Sequence, residues 1–579
     1  MNMTPNNEAV SVAASIQNWA HVRPNDSAVV FLADGESESD RLTFGELDRR
    51  ARLVSSRIIR AGLTGKPILL PAQSTPAFVL ALCGCLYAGA IAVPAPFHAR
   101  NRGNERLRSI VRDANIDVVI GDTDTATKRL LEAIPEISSL SLDDLECETA
   151  AIAEYDPQSP AVLQYTSGST SAPKGVVVSH HNLTANITML GSAFCLQPMS
   201  RILTWAPLFH DMGLMANLLA ALHWGLQCVV MPPFAFLQKP RRWLEAISRY
   251  RITVSGGPNF AYELCARRIG SDTIERLDLS AWAIAYCGAE PVRLSTMQRF
   301  AQAFAAAGFR EQALYPGYGL AEATVFVSGG VAGEGVRILP GDAPVRGQLV
   351  SCGRPAKGGT VVIVDPESRE PMPDGCEGEV WVSGDHVAKG YWHDAEATAA
   401  AFGARTSGRE EAFLRTGDLG FIWNGELYII GRRKNLIIHR GINLHPEDVE
   451  STVGACHSGF GAMGAAFSIE CNGEEQLVVV YEVLNNLIEE AESHAMIDEA
   501  LNAVAAEYAV RLFDLVLVRR GTLPRTTSGK VQRDRCRMLY LSEELAGTVQ
   551  RSPHPSLRRF QSPLAGRLGS DISDSTPKV

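Results

Sequence analysis

The sequence predicts an α/β protein of two domains, a large N-terminal one with parallel-rich sheets and a small, mobile α+β C-terminal one. Helical and strand patterns alternate over most of the chain, the appearance of α/β architecture. At 579 residues the chain exceeds what one compact core holds. Near Gly431 the character changes: a charged segment, RRKNLIIHRGINLHPEDVE, leads into a shorter set of strands and helices. The expected divisions are 1–432, 433–548 and a Ser-, Pro- and Arg-rich flexible tail over 549–579.

The alternating region is read in chain order. Residues 47–61 have helical spacing, and PILL at 67–70 is a short apolar strand. Residues 78–97, FVLALCGCLYAGAIAVPAPF, are long enough to suggest a membrane span. Gly84, Gly89, Pro94 and Pro96 interrupt them, which favours a buried helix followed by a buried strand, IAVPAP. Residues 107–114 are helical again, and 116–120 form the next strand. Further strands bounded by turn residues are predicted at 227–231, 361–364 and 379–382. No internal repeat is present.

Composition narrows the function. Hydrophobic residues make up 46% and charged residues 20%, a globular balance. A net charge of -10 opposes nonspecific binding to nucleic acid or anionic membrane, and no stable membrane insertion is expected. The twelve cysteines are scattered without a CxxC pair, so neither a disulfide framework nor a thiolate zinc site is supported. The opening MNMTPNNEAVSV lacks a basic region followed by an apolar core, which predicts no secretory leader and a cytoplasmic protein. The absence of HExxH and GxSxG motifs removes zinc-protease and serine-hydrolase readings.

The strongest chemical signal is TSGSTSAPKG at 166–175, directly after the apolar VLQY. A strand feeding a loop of small and hydroxyl residues suits phosphate: backbone N–H groups can approach the oxygens, and Lys174 adds positive charge. The order is not that of a Walker loop, and a plain Ser/Gly-rich surface loop has the same composition. Four further segments follow in order: LFHDMGL, GYGLAEAT, RTGDLGF with GRRKNLI, and LPRTTSGKVQR. Together the five motifs resemble the adenylate-forming superfamily of acyl-CoA synthetases, luciferases and peptide-synthetase adenylation domains. They run from the N-terminal third to Arg533.

The resemblance implies roles residue by residue. Thr166, Ser167, Gly168, Ser169, Thr170 and Lys174 would cradle the β- and γ-phosphates of ATP. Thr170 and Glu322 would hold Mg²⁺, a hard cation that prefers oxygen ligands and bridging phosphates. Tyr318, with Gly319 beside it, would offer a ring face to adenine, and Gly288, Ala289 and Glu290 would line the adenine pocket. Asp418, a pure acceptor when ionised, would receive the ribose hydroxyls, with Arg432 nearby. Lys530 would offset the charge that builds when a carboxylate attacks the α-phosphate. Lys434 matches the hinge about which the small domain swings, a plain exposed lysine being the alternative. In the apolar run LFHDMGL, His210 is read as positioning acyl or adenylate rather than moving protons.

Within that superfamily, LQYTSGSTSAPKGV, WAPLFHDMGLM, GGPNFAYELCARRI, CGAEPVR, LVSCGRP and GINLHPEDVE resemble fatty acyl-AMP ligases in particular. Those enzymes make acyl-adenylate from a fatty acid and load an acyl carrier protein of a polyketide or peptide synthase. They carry an insertion that here, at 329–350, is shorter than usual. An acyl-CoA ligase is the alternative of the same fold, and a non-catalytic nucleotide- or acyl-binding relative is the alternative from another class. The acyl pocket is expected near Trp205, Pro207, His210, Met212, Leu214, Asn259 and Phe260, although such apolar residues equally suit ordinary core.

Overall fold

The computed structural model describes residues 10–551, apart from 97–103, 122–124, 144–150, 167–172, 342, 344–347, 440–441, 472–473, 486–489, 509 and 527–528. The chain divides into two compact units, Met1–Lys434 and Asn435–Val579, two residues beyond the expected break.

The segment that could be mistaken for a membrane span shows how local chemistry sets the elements. Thr75 caps the helix Pro76–Ala88, proline opens it, and Gly89 closes it in the left-handed conformation at φ 63°. The following strand Ile91–Ala95 is buried throughout. Among the described residues no helix is long and apolar enough to cross a membrane.

Three sheets build the N-terminal unit. A six-stranded sheet runs in the order Ser138–Ser141, Val118–Gly121, Pro67–Pro71, Ile91–Ala95, Pro160–Thr166, Lys174–Ser179. Its first five strands are parallel, and the last turns back antiparallel beside its predecessor. A nine-stranded sheet has a central parallel block that includes Arg201–Thr204, Val254–Gly257, Ile284–Cys287 and Leu314–Tyr318 as successive neighbours. Parallel strands covered by helices are buried on both faces, which explains their near-continuous apolar runs. A four-stranded antiparallel sheet, Gly359–Val364 to Glu426–Arg432, completes the unit. The 329–350 insertion lies on that sheet through Leu339, which packs with Phe421 and Tyr428, and through Arg337, which donates to buried Glu426 at 2.6 Å.

The C-terminal unit pairs the ribbon Ile437–His439 and Ile442–Leu444 with a second sheet, ordered Phe460–Cys471, Glu474–Val483, Asp514–Val518 and Thr548–Arg551. Helices Pro446–Cys456, Glu490–Tyr508 and Arg533–Leu541 accompany it. The α/β reading with a smaller C-terminal domain is thus the architecture observed. The expected tail needs correction at its start. Residues 549–551 belong to the edge strand, where Gln550 pairs with Leu517 and Arg551 with Val516. Three of the four residues of this edge strand, Thr548, Gln550 and Arg551, are polar, so it reads as tail in composition alone. Residues 552–579 of the expected tail lie outside the described residues.

Candidate functional site

Four neighbouring parallel strands bring ten of the predicted residues to one edge. Arg201–Thr204 leads into Trp205 and Pro207, and Val254–Gly257 into Asn259 and Phe260. Ile284–Cys287 leads into Gly288, Ala289 and Glu290, and Leu314–Tyr318 into Gly319 and Glu322. Ligands in open α/β sheets bind outside the carboxyl ends of the strands, and that is the edge populated here.

The backbone at this edge is built for close approach. A Cβ on Gly319 would lie 1.7 Å from the Val325 carbonyl oxygen, and one on Gly288 would lie 2.8 Å from that of Gly317. Only glycine admits such contacts. Ala289 adopts φ 66°, a left-handed conformation unusual for a residue with a side chain. Next to it, the Glu290 carboxylate accepts from the Phe260 backbone N–H at 2.6 Å. The loop predicted for adenine is therefore tied to the helix predicted for the acyl pocket. Asn259 reinforces the tie, accepting from the Arg293 N–H at 3.0 Å and donating to Thr296 at 3.4 Å.

A buried carboxylate anchors the opposite side. Asp418 and Arg432 face one another across the hairpin of strands Leu414–Trp423 and Glu426–Arg432. Arg432 Nε donates to Asp418 Oδ1 at 2.8 Å, and the Tyr318 hydroxyl donates to Asp418 Oδ2 at 2.6 Å. Burial, then the Asp418 charge, pushes the Tyr318 hydroxyl well above its ordinary pKa, so it remains a donor. Asp418 holds Arg432 firmly protonated. Each carboxylate oxygen has two acceptor sites, so Asp418 retains capacity for a diol.

Glu322 sits in the short turn Ala321–Ala323 and accepts from the Tyr391 hydroxyl at 2.9 Å. Burial raises its pKa against that hydrogen bond and the attraction of Arg432. Thr324, two residues on, takes φ 66° and donates to the His386 carbonyl at 2.7 Å. No cluster of three or more His, Cys, Asp or Glu side chains suited to a metal occurs among the described residues. The buried Glu322 carboxylate, engaged by Tyr391 at one oxygen, is a hard oxygen donor of the kind Mg²⁺ takes, since that ion is held by one or two carboxylates together with phosphate and water oxygens.

Thr166 and Lys174 are register partners at the loop end of a hairpin. Lys174 Nζ lies 3.5 Å from Asp394 and 4.9 Å from the Tyr391 ring centre. Ser167, Gly168, Ser169 and Thr170 lie outside the described residues. The neighbouring strand residue Gln164 donates to the Phe209 carbonyl at 2.7 Å, which fastens the hairpin to the LFHDMGL run. There His210 Nδ1 meets Asp211 at 2.6 Å, leading into a π-helical turn, Leu214–Leu219. Such turns recur at functional sites. Asn217 in this turn donates to the Tyr286 hydroxyl at 2.9 Å. Met212 and Leu214 are buried, and Trp205 stacks on Phe236 with ring centres 4.0 Å apart. Among the described residues the buried Trp205 indole N–H has no hydrogen-bond partner.

In the C-terminal unit, Lys530 lies in a turn closed by Thr526, whose N–H donates to the Lys530 carbonyl at 2.7 Å. Before the turn, Glu482 accepts from Arg525 at 2.7 and 2.8 Å. Beyond it, Arg533 donates to Glu450 at 2.7 and 2.8 Å and meets Glu447 at 2.7 Å. Lys434 is exposed in the turn Arg433–Asn435, at the division between the units.

Sequence reasoning missed Tyr391, Asp394 and the clamps around Lys530. Tyr391 lies in AKGYWHD, where no local pattern separates it from any glycine-rich turn.

The same residues carry a family likeness. The AMP-binding enzyme family matches residues 16–392, and a second family, the AMP domain of Disco-interacting protein 2-like proteins, matches 434–550. A medium-chain-fatty-acid–acyl-carrier-protein ligase, JamA of Moorena producens, is 38% identical over 563 residues, covering 92% of this chain and 95% of its own. A putative fatty-acid–CoA ligase, FadD21 of Mycobacterium tuberculosis, is 35% identical over 571 residues, covering 91% and 97%. The fatty acyl-adenylate ligase of L. pneumophila, solved with acyl adenylate and pyrophosphate, aligns with a TM-score of 0.71 at 35% identity over 93% of this chain and 97% of that one. Strand ends that converge on one edge, the five ordered motifs and likeness along nearly the whole sequence agree: the chain belongs to the AMP-binding, adenylate-forming enzymes, among relatives named fatty-acid ligases.

Proposed function

We propose that the chain activates a fatty acid with ATP to acyl-AMP and then passes the acyl group to the pantetheine thiol of an acyl carrier protein. The observation that carries this is the convergence of Gly288–Glu290, Tyr318–Glu322 and the acyl-side residues at four adjacent strand ends, with buried Asp418 held by Tyr318 and Arg432.

In the first step a carboxylate oxygen of the fatty acid attacks the α-phosphorus. The bond from that phosphorus to the oxygen bridging the β-phosphate breaks, and pyrophosphate leaves. Asp418 accepts the ribose hydroxyls, while Tyr318 and the 288–290 loop position the base. Thr166 and Lys174, with Ser167 through Thr170, hold the β- and γ-phosphates. Glu322 and Thr170 are the residues that would hold Mg²⁺, which supplies charge neutralisation on the phosphates when bound. Lys530 brings an ammonium toward the α-phosphate, where two anions meet. In the second step the thiol sulfur attacks the acyl carbonyl and AMP leaves. Lys434 is the hinge for the rearrangement between the steps. Apolar residues around Trp205, Pro207, Met212, Leu214 and Phe260 accept the alkyl tail, each buried methylene adding about 0.8 kcal/mol. His210 positions acyl or adenylate. A reaction that consumes ATP is consistent with the expected cytoplasmic location.

The test supplies ATP, Mg²⁺ and a medium or long fatty acid and follows products by chromatography. Acyl-AMP should accumulate, coenzyme A should yield little thioester, and a cognate pantetheinylated carrier should be acylated. Rapid, stoichiometric acyl-CoA would replace this reading with the acyl-CoA ligase that the name of FadD21 suggests.

A further inference from the structure

Residues 385–392 form a strap that fastens the Glu322 turn to the phosphate-loop hairpin. At one end, the Ala388 N–H donates to the Glu322 carbonyl at 2.9 Å, and Asn182 holds the carbonyls of Asp385 and Val387 at 2.7 and 2.9 Å. At the other, the strap pairs with strand Lys174–Ser179. Lys389 N–H donates to Val177 at 2.9 Å, Val177 N–H to Gly390 at 2.9 Å, and Trp392 N–H to Gly175 at 2.7 Å. Tyr391 lies within this paired end, opposite Val176. Its hydroxyl donates to Glu322 Oε1 at 2.9 Å, Lys174 Nζ stands 4.9 Å from its ring centre, and Phe402 packs edge-on at 5.4 Å. Asp394 completes the group by meeting Lys174 at 3.5 Å while capping helix Ala395–Ala401.

From this geometry we infer that Tyr391 is a positioning residue with two separable duties, the hydroxyl orienting the Glu322 carboxylate and the ring placing the Lys174 ammonium. The hydrogen bond engages one carboxylate oxygen and leaves the other for the cation that Glu322 would hold. The ring face attracts the ammonium and, with Asp394, holds it at the hairpin mouth. One side chain thus sets the spacing between the cationic and anionic groups that meet the triphosphate. The inference rests on the proposed roles of Glu322 and Lys174.

Calorimetric titration of the full chain with ATP and Mg²⁺, and separately with ATP and EDTA, reads binding without turnover. Tyr391→Phe keeps the ring and removes only the hydroxyl. It should weaken Mg²⁺–ATP binding about tenfold and leave ATP–EDTA binding unchanged. Tyr391→Leu removes both and should weaken binding under both conditions. Wild-type affinity for Mg²⁺–ATP in Tyr391→Phe, or an equal loss with and without Mg²⁺, would overturn the inference. A failure of the underlying reading looks different: Glu322→Gln would then leave Mg²⁺–ATP binding unchanged in an otherwise native chain.

Discussion

The two units hold their charged groups in opposite ways. In the N-terminal unit the groups proposed to meet the nucleotide are themselves braced: Asp418 by Tyr318 and Arg432, Glu322 by Tyr391, and Lys174 by Asp394. In the C-terminal unit the buried ion pairs Glu482–Arg525 and Glu450–Arg533 lie on either side of Lys530 and fix the backbone that carries it. A binding site gains from side chains oriented before the ligand arrives. A lysine that delivers charge needs a fixed root, because its four-carbon stem does the reaching. The contrast teaches that buried ion pairs near a reactive residue can serve the chain rather than the chemistry.

Breaking a clamp should give the largest effect. Arg533→Ala leaves Glu450 and Glu447 without their shared cation in a buried place, which costs about 3–5 kcal/mol. Urea unfolding should show the loss in the C-terminal unit, while ATP affinity of the N-terminal unit stays unchanged.

Removing the lysine itself tests the chemistry. Lys530→Ala should slow acyl-AMP formation about 10²–10³-fold, as measured by pyrophosphate release. Transfer from preformed acyl-AMP should survive better. Equal, mild losses in both half-reactions would end its assignment to the adenylating step.

Asp418→Ala sharpens the other side of the comparison. A charged acceptor lost from a buried diol costs about 1.5–3 kcal/mol. The KM for ATP should rise while that for the fatty acid stays, and movement of the fatty-acid constant alone would reassign Asp418.

Acid offers the smallest effect. His386 is fully buried, neither ring nitrogen has a hydrogen-bond partner among the described residues, and burial pushes its pKa down to about 4. The unfolded chain, with an ordinary imidazole, binds the proton more readily. The stability contribution is therefore complete above the unfolded pKa and is lost as pH falls toward the folded one. At pH 5 the loss is roughly 2 kcal/mol. His386→Gln should flatten that part of the pH dependence of the urea midpoint for the N-terminal unit.

Much of this protein was legible in the order of its residues. Near-continuous apolar runs set between helical patterns predict the parallel sheets, because strands buried on both faces admit little else, and Thr75, Pro76 and Gly89 mark a helix by local chemistry alone. Five motifs in order named the family, and Asp418 stands beside Arg432 because a hairpin of consecutive strands makes them neighbours. Tertiary structure alone decided the partners across long stretches of sequence. Tyr318 reaches Asp418 over 100 residues, Tyr391 reaches Glu322 over 69, and Arg533 reaches Glu450 over 83. The edge strand over 549–551 is likewise decided by its neighbour, since its own composition is that of a tail. The physical reason is common to all four: a hydrogen bond or ion pair depends on where the fold sets two groups in space, and neither residue carries that separation in its own neighbourhood.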